Sequence, residues 1–182
     1  AMCPEKAISE IPDRMGIVER GPAEEGIAFA RGVLDVGEPM AVPVIRQLKK
    51  WAAPQPGQVV IRDAPPGTSC PVVETLRGSD YLILVTEPTP FGLHDLELAA
   101  QVAAELSIPA GVVINRENGA YPPLDAFCAE RNLPVLLRIP FERSIAEGVA
   151  QGKKLVEIHP EYHSAFQAMF QQITTTRHDL TR

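Results

Sequence analysis

Asp63 is the residue of this 182-residue chain whose type and setting point most directly to chemistry. It closes the β-branched run Val59-Val60-Ile61-Arg62 and opens Ala64-Pro65-Pro66-Gly67-Thr68-Ser69-Cys70-Pro71. A carboxylate that leaves a buried strand into a glycine-containing loop can orient a metal ion or its water, and α/β proteins gather such groups at the carboxyl ends of their strands. Two further apolar runs end in distinctive residues, Asn115-Arg116 and Pro140-Phe141-Glu142. Asn115, taken by itself, reads as a cap on its strand end. Phe141, taken by itself, reads as a core ring beside a turn. His159 and His163 are four apart, a spacing that lets two imidazoles share a metal on one helix. Pro160 opens that helix, however, which leaves His159 outside it and makes both surface residues.

These side chains need a scaffold that brings strand ends together. Residues 14–20 and 26–35 alternate around a Gly- and Glu-rich link, which predicts a β-hairpin. Val42, Ile45, Leu48 and Trp51 recur at helical spacing and predict a helix over 40–51, stopped by Pro54-Gln55-Pro56-Gly57. Near-continuous apolar runs predict buried strands at 59–63, 81–86, 110–115 and 134–139. Helices are predicted over 71–77, 94–106, 122–131, 141–151 and 161–174. Strands alternating with helices give an α/β chain: a mostly parallel, Rossmann-like sheet with helices on both faces, incomplete, behind an N-terminal β-hairpin.

Composition narrows the function classes. An apolar fraction of 45% and a charged fraction of 22% are those of an ordinary globular protein, and a net charge of −6 argues against nucleic acid as a partner. No apolar run approaches the roughly 18 residues of a membrane span, and no signal-peptide core opens the chain. Three scattered cysteines, Cys3, Cys70 and Cys128, make no disulfide framework, so a cytoplasmic protein is expected. Cys128, beside Phe127 on a helix, reads as core. Cys3-Pro4-Glu5-Lys6-Ala7-Ile8 reads either as the last cysteine of a ferredoxin-type cluster motif or as a tail with a chance cysteine.

A phosphate-binding loop of the form Gly-x-x-x-x-Gly-Lys-Ser/Thr would surround phosphates with backbone N–H groups between a strand and a helix. Gly148-Val149-Ala150-Gln151-Gly152-Lys153-Lys154 comes nearest within the 182 residues. Its glycine spacing is wrong, no hydroxyl follows the lysine, and it follows a helix. It reads as a helix stop with surface lysines.

Four stretches together carry a resemblance: residues 63–72, then Leu84-Val85-Thr86-Glu87-Pro88-Thr89-Pro90-Phe91-Gly92, then Val113-Ile114-Asn115-Arg116, then Ile139-Pro140-Phe141-Glu142. In combination they resemble the latter part of a MinD/ParA/Mrp-type P-loop ATPase, in the branch with an inserted ferredoxin domain, over roughly residues 3–158. The resemblance implies that residues 1–12 are a ferredoxin-like remnant and 13–182 the C-terminal portion of the ATPase domain. It implies ATP, Mg²⁺ and 4Fe–4S clusters as cofactors of a parent protein, with Cys3 a remnant ligand and none of the three expected on this chain alone. Asp63 resembles the aspartate that holds Mg²⁺ through water. Pro65, Pro66, Gly67 and Cys70 belong to the corresponding switch loop. Asn115 and Arg116 lie where the family reads adenine, with Pro140, Phe141 and Glu142 flanking the base. Cys70 also invites comparison with a cluster-bridging cysteine, against a plain thiol at a helix start.

The resulting expectation is an ATPase portion that does not hydrolyse ATP by itself, with self-association as a homodimer or otherwise, and an iron–sulfur or redox protein as a partner. The alternative is a non-catalytic Rossmann-like docking or electron-transfer module. An amide ligase of the same superfamily fits less well, because its substrate-binding segments are not recognisable.

Overall fold

A computed structural model describes residues 4, 5, 7, 9, 11–22 and 26–180, with side chains of the last helix described through Thr176. Cys3 lies outside these residues. The chain divides into two compact units, 1–75 and 76–182.

The first unit is built on the hairpin expected from its alternation. β1 (Gly16–Pro22) pairs antiparallel with β2 (Ala28–Leu34), in a register that sets Val18 opposite Gly32. Helix α1 (Val42–Trp51) starts on a proline in its first turn and ends on Lys49 and Lys50, where cations complement the helix dipole. It packs on the hairpin over Gly32, where an added Cβ would lie 2.6 Å from Val44 Cγ1. Arg20 lies over the Trp51 ring, 5.5 Å from its centroid. Helix α2 (Cys70–Leu76) is held to α1 by Arg46–Glu74 at 3.2 Å and by Lys49 Nζ donating to the Glu74 carbonyl.

Between these helices the structure corrects an expectation. Residues 59–63 form no strand: Val59 and Ile61 are 65% and 92% exposed, and neither pairs with another strand among the described residues. β-branched composition favours extension, but a strand needs a neighbour to take its N–H and C=O groups, and a buried strand needs cover on both faces. Neither is supplied here.

The second unit is a three-stranded parallel sheet in the order β3-β4-β5, formed by β3 (Leu82–Thr86), β4 (Ala110–Glu117) and β5 (Val135–Pro140). Leu82, Leu84 and Thr86 share one sheet face with Val112 and Ile114. Helices α3 (Pro90–Glu105) and α4 (Pro122–Glu130) contribute Leu96, Leu124 and Cys128 to the same core. Ile114, Val112 and Leu124 are fully buried, each worth about 1.5–3 kcal/mol relative to exposure. Cys128 is thus a core residue, and burial, followed by the nearby Asp125 charge, pushes its thiol pKa up against a smaller opposing effect of Arg138. Arg138 bridges Glu117 and Asp125, and those hydrogen bonds, Asp125 first, hold its charge more firmly. Gly111 matters by its smallness: a Cβ there would lie 2.6 Å from Tyr81 Oη and 2.8 Å from Leu136 Cδ1.

Helix α5 (Arg143–Ala150) follows β5, then a four-residue α6 (Leu155–Ile158) and the long α7 (Tyr162–Leu180), which packs against β5. α6 was not expected; it begins shortly after Gly152, whose positive φ of 78° follows the end of α5. Among the described residues no helix is long and apolar enough to cross a membrane.

Candidate functional site

The parallel sheet converges three strand ends on one cleft of about 240 Å³, lined by Glu87, Pro88, Thr89, Arg116, Asn118 and Phe141. Several of the lining residues are placed by local rules. β3 runs out at Thr86, whose hydroxyl donates to the Gly92 carbonyl at 2.7 Å. Thr89 then caps α3: its Oγ1 accepts from the Gly92 N–H at 3.0 Å, and Pro90 follows in the first turn. Gly92 is required because a Cβ would overlap the Glu87 carbonyl oxygen. The cap, the glycine and the proline together fold the Glu87–Thr89 segment into the cleft wall.

On β4, Arg116 takes a left-handed conformation with φ of 53°. For a long side chain that is uncommon, and such residues gather at functional sites. Asn115 supports it: Oδ1 of Asn115 accepts from the Arg116 backbone N–H at 3.0 Å. The Asn115 amide keeps both of its N–H donors uncommitted among the described residues. Arg116 Nη1 reaches across the strand ends to Glu87 Oε1 at 3.2 Å, an exposed pair. From β5, the Phe141 N–H donates to the Glu117 carbonyl at 2.9 Å, which fixes the turn, while its ring stands 62% exposed. The cleft thus presents a guanidinium paired with a carboxylate, and an open aromatic ring, with the Asn115 amide adjoining it in the chain.

Of the residues singled out from sequence, Arg116 and Phe141 line this cleft, and Asn115, Pro140 and Glu142 adjoin it in the chain. Asp63, Pro65, Pro66, Gly67 and Cys70 belong to the 1–75 unit. All five are exposed; Asp63 lies in irregular chain, Gly67 takes a positive φ of 90°, and Cys70 begins α2. Glu87, Thr89 and Asn118 were not assigned to a site from sequence. The Thr89-Pro90 pair after an apolar strand was the available signal, since a hydroxyl followed by proline marks a helix start.

Among the described residues no group of three or more His, Cys, Asp or Glu side chains is placed to hold a metal. α7 begins at Tyr162, which puts His163 on the helix and His159 before it, as the proline implied.

No family model matches the chain. The chain is similar to two uncharacterized proteins of Methanocaldococcus jannaschii. One is 28% identical over 126 residues, which are 69% of this chain and 44% of the relative. The other is 31% identical over 70 residues, 38% of this chain and 25% of the relative. The chain thus spans less than half the length of the curated relatives it matches. Among solved structures, it is similar to the cell division ATPase MinD of Pyrococcus furiosus, with a TM-score of 0.58 and 24% identity. That likeness covers 79% of this chain and 63% of the other. The fold is MinD-like. At that level of identity the likeness concerns architecture: a parallel α/β sheet flanked by helices, preceded in this chain by an antiparallel hairpin. In a MinD-like sheet the cleft lies where open α/β proteins bind ligands, outside the carboxyl ends of the strands.

Proposed function

We propose that this chain is the adenine-binding, C-terminal part of a cytoplasmic MinD-like ATPase that works with an iron–sulfur segment. The observation that carries the reading is the cleft of Glu87, Thr89, Arg116, Asn118 and Phe141 at the strand ends of a MinD-like fold. Its volume of about 240 Å³ has room for a base. Asn115 and Arg116 would read the base edge, and Pro140, Phe141 and Glu142 would flank the ring.

In the parent protein, Asp63 would hold Mg²⁺ through water, and the Pro65–Cys70 loop would sense the terminal phosphate. An exposed carboxylate fits that role, because Mg²⁺ takes one or two carboxylates and leaves its other positions to phosphate and water. The parent reaction would be attack of water on the γ-phosphate. Of the described cysteines, Cys128 is sealed in the core, and Cys70, exposed at the start of α2, is a single thiol that would need ligands from elsewhere. A cluster in the parent would therefore draw on other cysteines, with Cys3 among them, and no step is routed through it.

Calorimetry with adenosine, ADP and ATP–Mg²⁺ tests the proposal. Base-dependent binding of similar strength for all three is expected, weakened about tenfold or more by Phe141→Ala, since loss of base–aromatic stacking costs about 1–3 kcal/mol. ATP turnover is expected to stay at background, because the 182 residues carry no phosphate-binding loop. Turnover that Asp63→Ala abolishes would overturn that part. A second reading, a non-catalytic docking or electron-transfer module, draws support from the apolar Ile83 and Val85, exposed on β3 at 44% and 64%. Failure of all three adenine compounds to bind would favour it.

A further inference from the structure

Glu87 supplies the carboxylate of the cleft wall, and the fold fixes it from two directions. Along the chain, its carbonyl accepts from the Thr89 N–H at 2.8 Å, and the Thr86 hydroxyl lies 3.4 Å from the same oxygen. Gly92 packs so closely on that carbonyl that a Cβ would overlap it. Across the sheet, the β3–β4 ladder ends with Thr86 opposite Ile114, so Glu87 leaves the sheet beside Asn115 and Arg116. Arg116 Nη1 then meets Glu87 Oε1 at 3.2 Å. No other group bonds to this carboxylate among the described residues, which leaves Oε2 free to accept. Arg116 holds a left-handed backbone that glycine would adopt without strain, so the reason for an arginine there lies in its side chain, which lines the same cleft.

The hydrogen-bonding inventory of the cleft gives Glu87 its role. The Arg116 guanidinium and the Asn115 amide N–H groups are donors. Asn115 Oδ1 already accepts from the Arg116 N–H, and Thr89 Oγ1 from the Gly92 N–H. Adenine can offer ring nitrogens to the donors, but its exocyclic amine is itself a donor and needs an acceptor. Of the described residues that line the cleft, Glu87 carries the charged acceptor and Asn118 a neutral one. Glu142, next to Phe141, is turned toward Ser144 at 3.3 Å instead. An N–H donor bonds more strongly to a carboxylate than to an amide oxygen.

We infer that Glu87 sets the base specificity of the cleft by accepting the exocyclic amino group of the ligand. It favours a purine that carries this amine over one that lacks it. The inference rests on the base-binding reading and names the contact that selects the base. The selection is modest in size. A ligand without the amine leaves Glu87 paired with Arg116 and partly solvated, rather than bare and buried.

Calorimetry on the full chain tests this with adenosine and purine riboside, the same nucleoside without its amino group. Wild type is expected to bind adenosine about fivefold more tightly, as one hydrogen bond to a partly exposed carboxylate allows. In Glu87→Ala the ratio is expected to fall to about one. Glu87→Gln keeps an acceptor oxygen without the charge, and a ratio of about two is expected. A ratio that stays near fivefold in Glu87→Ala overturns the inference, and one that collapses only in Asn118→Ala passes the role to Asn118. If Glu87→Ala binds neither nucleoside, Glu87→Gln decides, and a ratio unchanged from wild type overturns the inference. A wild type that binds both nucleosides equally also overturns it while leaving the base-binding reading intact. If wild type binds neither, that reading fails and the inference falls with it.

Discussion

Asn115 has two separable jobs, and a single atom exchange distinguishes them. Its Oδ1 supports the left-handed Arg116 backbone, while its amide donors remain for a ligand. Asn115→Asp keeps the acceptor and removes the donors; it is expected to leave thermal stability within about 0.5 kcal/mol while weakening adenosine binding. Asn115→Ala removes both, and is expected to cost about 1 kcal/mol of stability in addition, measured by denaturant unfolding. Tyr81 offers a residue-scale check of a different kind. Its hydroxyl is buried with no hydrogen-bond partner among the described residues, and burial raises its pKa above 10. The fold therefore favours the neutral phenol. Its contribution to stability is level below pH 10 and declines as pH rises from there toward the folded-state value. Tyr81→Phe is expected to abolish that part of the alkaline decline and to gain about 1 kcal/mol at neutral pH, because the desolvated hydroxyl is gone. An unchanged alkaline profile in the variant would refute this account of the site.

Helices and strands were legible to the extent that their own side chains dictated them. The parallel strands β3, β4 and β5 lie where near-continuous apolar runs predict them, because each has a neighbour and helical cover. Residues 59–63 open on the β-branched Val59-Val60-Ile61 and form no strand, because pairing is a property of the partner rather than of the run. The start of α3 was missed by four residues, since Pro90 reads as a breaker until Thr89 is recognised as the cap. The cleft followed the same division. Arg116 and Phe141 were legible as strand-end residues, whereas Glu87 and Asn118 enter it through turns that no periodicity records. The α3 start makes a test at this scale. Thr89→Ala is expected to cost about 1 kcal/mol through the lost cap and to weaken adenosine binding through the displaced cleft wall. Full affinity in a variant that has lost this stability would separate the cap from the site and contradict the dependence of the cleft wall on Thr89.

For the molecule as a whole, the informative feature is surface that a lone chain does not cover. Within the 76–182 unit, β3 is an edge strand of sequence Leu82-Ile83-Leu84-Val85-Thr86, and Ile83 and Val85 stand exposed on the face opposite the core. It carries none of the charges, prolines or bulges with which natural edge strands repel one another. Within the 1–75 unit, Val59 and Ile61 are likewise exposed, and neither pairs with a strand among the described residues. The chain matches less than half of either Methanocaldococcus relative. An open apolar edge has two outlets, further polypeptide or another copy, and in a solution of the purified chain the second is at hand. Self-association that rises with concentration over the micromolar range is therefore expected in sedimentation velocity. Val85→Lys sets a charge on the exposed face without entering the core, and it is expected to shift the distribution toward monomer with thermal stability changed by less than about 1 kcal/mol. A wild-type chain that stays monomeric at high concentration, or a Val85→Lys variant that associates as strongly, would show that the edge of β3 is already protected by the chain itself.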